Sequence, residues 1–74
     1  MGKKAVEKAI GELLAEIYHR LNGKDRTKEF VGDPAIRARL NGQWSILHTL
    51  CTVLKLDMVS VRASMSEKLK ELAA

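Results

Sequence analysis

The sequence predicts a small all-α protein, a three-helix bundle over residues 1–74 with helices at about 3–21, 34–54 and 58–72. Three observations carry that reading. Apolar residues recur at helical 3-4 spacing in three separate stretches. Asn22-Gly23, Asp33-Pro34 and Asp57 punctuate the chain where helices should stop and start. Leu40 to Leu54 holds no Lys, Arg, Asp or Glu, although charged residues make up 30% of the chain. All 22 formal charges lie outside that window, 15 before it and 7 after it. A surface helix normally keeps a charged face for water, so this stretch should be covered on most sides.

A chain of 74 residues is one domain, near the size where a lone hydrophobic core becomes marginal. Such chains lean on disulfides, metals, oligomerisation or well-formed helices. Cys51 is the only cysteine, which excludes a disulfide within the chain. A lone thiol with no apolar signal segment after the basic start Met1-Gly-Lys-Lys points to a reducing, cytoplasmic setting. The uncharged window is shorter than a membrane span of about 20 residues and carries Asn41, Gln43, Ser45, His48, Thr49 and Thr52.

The net charge is +4 and the pI about 9.5, which suits a nucleic-acid or acidic partner without requiring one. Basic residues gather at Lys3, Lys4 and Lys8, then at Lys24, Arg26, Lys28, Arg37 and Arg39. Glu7, Asp25, Glu29 and Asp33 interrupt them, so the charge reads as a mixed, solvated surface.

In the first helix, Val6, Ile10, Leu13, Leu14, Ile17 and Leu21 form one apolar stripe, and Glu7, Lys8, Glu12, Glu16 and Arg20 take the other faces. Glu16 precedes Arg20 by four residues, the favourable order for an ion pair. Gly23 can cap the helix. Gly11 lies off the stripe, where a glycine weakens the helix with no return visible in the sequence. Residues 24–33 form a charged connection, with one helical turn expected around Asp25 to Phe30 and with Phe30 and Val31 tucked against the bundle.

The second helix starts at an Asp33 N-cap with Pro34 at the first helical position. Ile36, Leu40, Trp44, Ile46, Leu47, Leu50, Cys51, Val53 and Leu54 cover about half its circumference. One neighbour needs less than that, so this helix is expected to be central. Arg39-Leu-Asn-Gly42 echoes Arg20-Leu-Asn-Gly23, but nothing around the two copies matches, and the helix is read as continuous through Gly42. Its remaining face carries Ala38, Gly42, Ser45, Thr49 and Thr52, small and uncharged. Such a stripe lets another helix approach closely. The expected partner is a second copy in an isologous homodimer, the commonest symmetric assembly, with a further protein partner left open.

The third helix follows an Asp57 N-cap. Met58, Val61, Met65, Leu69 and Leu72 form its stripe; Arg62, Glu67, Lys68, Lys70 and Glu71 line its other faces, and Val59 stands outside.

No catalytic or cofactor set emerges. His48 and Cys51 stand three apart on the second helix, but the sequence supplies neither an orienting acid nor an oxyanion loop. His19, His48 and Cys51 lack metal-site spacing, and there is no Gly-rich phosphate loop. The expectation is a non-enzymatic helical interaction protein that self-associates through its second helix, of a size that suits an accessory protein of a phage or mobile element.

Residues 50–65, Leu-Cys-Thr-Val-Leu-Lys-Leu-Asp-Met-Val-Ser-Val-Arg-Ala-Ser-Met, resemble the core of a helix-turn-helix DNA-binding motif. Cys51, Lys55, Leu56, Val61 and Met65 stand at its small, turn and apolar positions. The sequence departs at the turn, where Gly is usual and Lys55 stands. It departs again at the outward positions Val59, Ser60 and Ala63, where Arg, Lys, Asn or Gln usually read bases. The resemblance implies a small DNA-binding regulator, with Lys55, Ser60 and Arg62 as the contacting residues.

Overall fold

The structure, a computed structural model, describes residues 2–22 and 34–73. It contains α1 (Lys3–Asn22), α2 (Pro34–Val53) and α3 (Met58–Ala73), and no strand among the described residues. The three-helix all-α bundle is as the sequence predicts, with each helix end within a residue of its expected place. The cap at Gly23, the turn at 25–30, the packing of Phe30 and Val31 and the Asp33 N-cap lie outside the described residues. α2 runs unbroken through Asn41 and Gly42.

Apolar contacts fix the layout. Ile17 and Leu21 of α1 cluster with Leu40 of α2, backed by Ile36, Trp44 and Leu47. Ile10 and Leu14 cluster with Cys51, Leu56 and Val61, backed by Val6, Met58 and Met65. α2 therefore runs antiparallel to α1, its start against the end of α1. α3 runs parallel to α1, since Glu7 meets Asp57 and Gly11 meets Val61 to Met65.

The central element is α1, not α2 as the width of the α2 pattern suggests. Both other helices pack on α1, α3 the more extensively, while α2 and α3 make few backbone contacts with each other. With a single full neighbour, α2 buries only Leu40 and Cys51. Ile46, Leu50, Val53 and Leu54, expected in the core, are exposed, as is Leu13 on α1.

Gly11 explains the closeness of α1 and α3. A Cβ built there would stand 2.5 Å from the Val61 carbonyl oxygen, 2.7 Å from Ser64 Cβ and 3.1 Å from the Met65 nitrogen. Two of those atoms are backbone and cannot rotate aside. Ala15, one turn on, is fully buried. The pair lets the two helices approach where larger side chains would hold them apart.

Glu7 also departs from expectation. It is only 5% exposed rather than solvated. Its Oε2 accepts the Asp57 N–H at 2.6 Å, just ahead of α3. A carboxylate there satisfies a donor that would otherwise be unbonded and meets the positive end of the helix dipole. Asp57 is the expected N-cap, its Oδ1 accepting the Val59 N–H at 3.0 Å and its Oδ2 the Ser60 hydroxyl at 3.1 Å.

The α2–α3 turn is a Schellman motif. The Leu56 N–H donates to the Cys51 carbonyl at 2.9 Å and the Lys55 N–H to the Thr52 carbonyl at 3.2 Å. Lys55 takes the left-handed conformation, φ 54°, where glycine usually stands. The buried Leu56 and Cys51 supply the apolar contact that closes the motif.

Three stability changes follow. Gly11→Ala should lower stability by about 1–3 kcal/mol in urea unfolding although alanine is the better helix former, because the crossing is already closed. Glu7→Ala should cost about 1.5–3 kcal/mol by leaving the Asp57 N–H without its charged acceptor, and Glu7→Gln should cost less. Lys55→Gly should raise the urea midpoint, gaining up to about 1 kcal/mol by relieving the left-handed strain.

Candidate functional site

The face of α2 turned away from α1 is where the structure leaves surface without a structural use. Ala38, Gly42, Ser45, Thr49 and Thr52 are all exposed there. A Cβ added at Gly42 would meet nothing within 4 Å, the opposite of Gly11. The two threonine hydroxyls of this stripe turn inward: Thr49 donates to the Ser45 carbonyl at 3.0 Å and Thr52 to the His48 carbonyl at 3.4 Å. Threonines bonded to their own helix present methyl groups outward, so the stripe is less polar than its composition suggests.

The width of the apolar pattern predicts the neighbouring side chains in the interior, but they are exposed. Ile46 is 61% exposed and Val53 67%, with Leu50 and Leu54 beside them. The four follow helical spacing and lie between the small stripe and the α1 seam. Their signal was present in the width of the apolar pattern. What the sequence could not supply was the number of neighbours available to cover it.

At the seam, Leu13, Ile17, Ile46 and Leu47 line a groove of about 330 Å³ rimmed by Glu16, Arg20 and Gln43. Leu13 is 48% exposed at its edge. Glu16 and Arg20 do not pair with each other despite their spacing; the ion pairs among the described residues are Lys68–Glu71 at 3.7 Å and Lys70–Glu67 at 3.8 Å on α3.

His48 and Cys51 do not form a reactive pair. The His48 Nδ1–H donates to the Trp44 carbonyl at 3.0 Å, and its ring lies 4.7 Å from that of Trp44, which in turn faces Tyr18 at 6.1 Å. Cys51 is buried under the turn. Burial pushes its thiol above the usual pKa; its backbone hydrogen bond pulls the other way, and the Glu7 carboxylate adds to the rise. The thiolate a nucleophile needs is thus disfavoured. No group of three or more metal-ligating side chains occurs among the described residues. No described helix is long and apolar enough to cross a membrane.

The helix-turn-helix positions divide. Cys51, Leu56 and Val61 are buried, Met65 is half-buried, and Lys55 occupies the left-handed turn. On the outer side of α3, Val59 is 76% exposed and Arg62 and Ala63 are exposed. Ser60 is half-buried and its hydroxyl is engaged by Asp57. Of the three candidate DNA contacts, Lys55 and Arg62 present charge and Ser60 serves the cap.

Compared with known proteins, the chain matches no family model, no curated protein and no solved structure.

Thiol chemistry tests this placement. Cys51 should react with Ellman's reagent far more slowly in the native protein than in urea. With a raised native pKa, the unfolded chain releases the thiol proton first, so stability should fall as pH climbs past about 8.5. Cys51→Ala should lack that part of the decline in urea titrations across pH 7.5–10.

Proposed function

We propose that the chain is a non-enzymatic interaction protein that self-associates through α2. The observation that carries this reading is the exposure of Ile46, Leu50, Val53 and Leu54 beside a small stripe that holds no charge. Contiguous exposed apolar surface on a small protein marks an interaction site. Charge is depleted at the centre of protein–protein interfaces, and this face carries none from Leu40 to Leu54, with the exposed Arg37 and Arg39 at its N-terminal end. A second copy brings the same uncharged face, so a two-fold assembly matches like with like. Gly42, Ser45 and Ala38 allow the backbones to come close, and Ile46 and Val53 supply the flanking bulk.

A second reading, a small DNA-binding regulator built on residues 50–65, is favoured by the turn geometry: a left-handed Lys55 between two helices, above buried Cys51, Leu56 and Val61. The Schellman turn accounts for this geometry by capping alone, and α3 offers bases an outer surface of Val59 and Ala63. That makes it the weaker of the two.

The test is the mass in solution. Sedimentation equilibrium should return a dimer of the 8.3 kDa chain. Gly42→Leu should return a folded monomer, because the open space around Gly42 accepts a larger side chain within the single chain. An unchanged dimer would remove the small stripe from the interface, and a wild-type monomer would end this reading. For the second reading, DNA affinity should fall steeply between 50 and 200 mM salt; no binding at low salt would eliminate it.

A further inference from the structure

The groove between α1 and α2 holds both halves of an unused ion pair beside an apolar floor. Its floor is Leu13, Ile17, Ile46 and Leu47, with Leu13 and Ile46 exposed, and its rim carries Glu16, Arg20 and Gln43. Glu16 and Arg20 stand one turn apart on the same face of α1, in the order that favours pairing, yet are not bonded to each other. A rim with one acid and one base is complementary to itself when turned over: a two-fold axis between them sets each carboxylate against the other copy's guanidinium, twice. A polyanion would meet repulsion at Glu16, and an acidic peptide would meet an uncharged wall along Ile46, Leu50 and Val53. The occupant that fits both the rim and the wall is this chain itself.

Building on the self-association proposed above, we infer that a second copy docks at the α1–α2 groove. Leu13 and Ile46 of each copy pack against their counterparts across the two-fold axis. Glu16 of each copy pairs with Arg20 of its partner. The dimer interface is then a two-helix surface, α1 and α2 from each copy, and it reaches the small stripe at Gly42, one turn before Ile46.

Charge reversal in the 74-residue chain tests the inference by sedimentation equilibrium, with far-UV circular dichroism as the folding control. Glu16→Arg alone and Arg20→Glu alone should each weaken the dimer roughly tenfold or more, since each sets like charges together twice. The Glu16→Arg/Arg20→Glu double variant should return to within about threefold of wild type, because the exchanged pair is again complementary across the axis. Ile46→Lys should give a folded monomer at concentrations where wild type is dimeric. The reversed side chains are exposed on α1, so the monomer fold should persist. A dimer indifferent to the three charge variants, or single variants that weaken it without rescue by the double, overturns this inference and leaves self-association through α2 standing, whereas a dimer also indifferent to Ile46→Lys overturns both. A wild-type monomer overturns both.

Discussion

The close approach of α1 and α3 at Gly11 is the constraint on which the other contacts depend. With the position of a missing Cβ only 2.5 Å from the Val61 carbonyl oxygen, the two backbones are nearly in contact. That closeness buries Ala15 and Val61 and brings the Asp57 N–H within reach of Glu7. The carboxylate is kept out of bulk water by the same approach that gives it a partner. Burying a charge without such a bond would cost several kcal/mol. The crossing and the Glu7 bond are therefore coupled, one setting the distance and the other satisfying what that distance encloses.

Once α3 occupies one side of α1, α2 has only the other side. Ile17, Leu21, Leu40 and the half-buried Ile36, Trp44 and Leu47 fill that contact. α2 carries more apolar surface than one helix contact can cover. The surplus at Ile46, Leu50, Val53 and Leu54 is a consequence of layout, since nothing about these side chains distinguishes them from the buried Leu40.

This is also where the sequence stops being legible. Helix ends are set by local chemistry: Pro34 fits a helix start because of its fixed φ and missing donor, and Asp57 caps because its carboxylate reaches the next amides. Both can be read one residue at a time. Which helix is central depends on how three helices pair, and the wheel of α2 supplies only the width of its apolar face. Gly11 and Glu7 were opaque for the same reason. Each looks unfavourable or ordinary within α1, and each gains its meaning from α3, about fifty residues away in the chain. The small stripe of α2 is legible from residue size alone, whereas its apolar flank reads as interior in the sequence and is exposed in the fold.

The turn at Lys55 shows how one geometry can serve two readings. A Schellman closure needs a left-handed residue, two backbone bonds and an apolar contact between its ends, and Lys55, Leu56 and Cys51 provide them. A helix-turn-helix needs the same turn, so the turn cannot by itself distinguish a DNA reader from a capped helical junction. The discriminating residues are those that face away from α1. On the first turns of α3, where a helix-turn-helix would meet bases, the exposed residues are Val59, Arg62 and Ala63, which offer one charge and little hydrogen-bonding capacity. On α2, past the exposed Arg37 and Arg39 near its start, they include five small residues beside four large apolar ones. Water solvates the first surface at little cost, whereas the second exposes apolar area that a partner would bury, at roughly 25 cal/mol per Å². The larger exposed apolar surface therefore lies on α2.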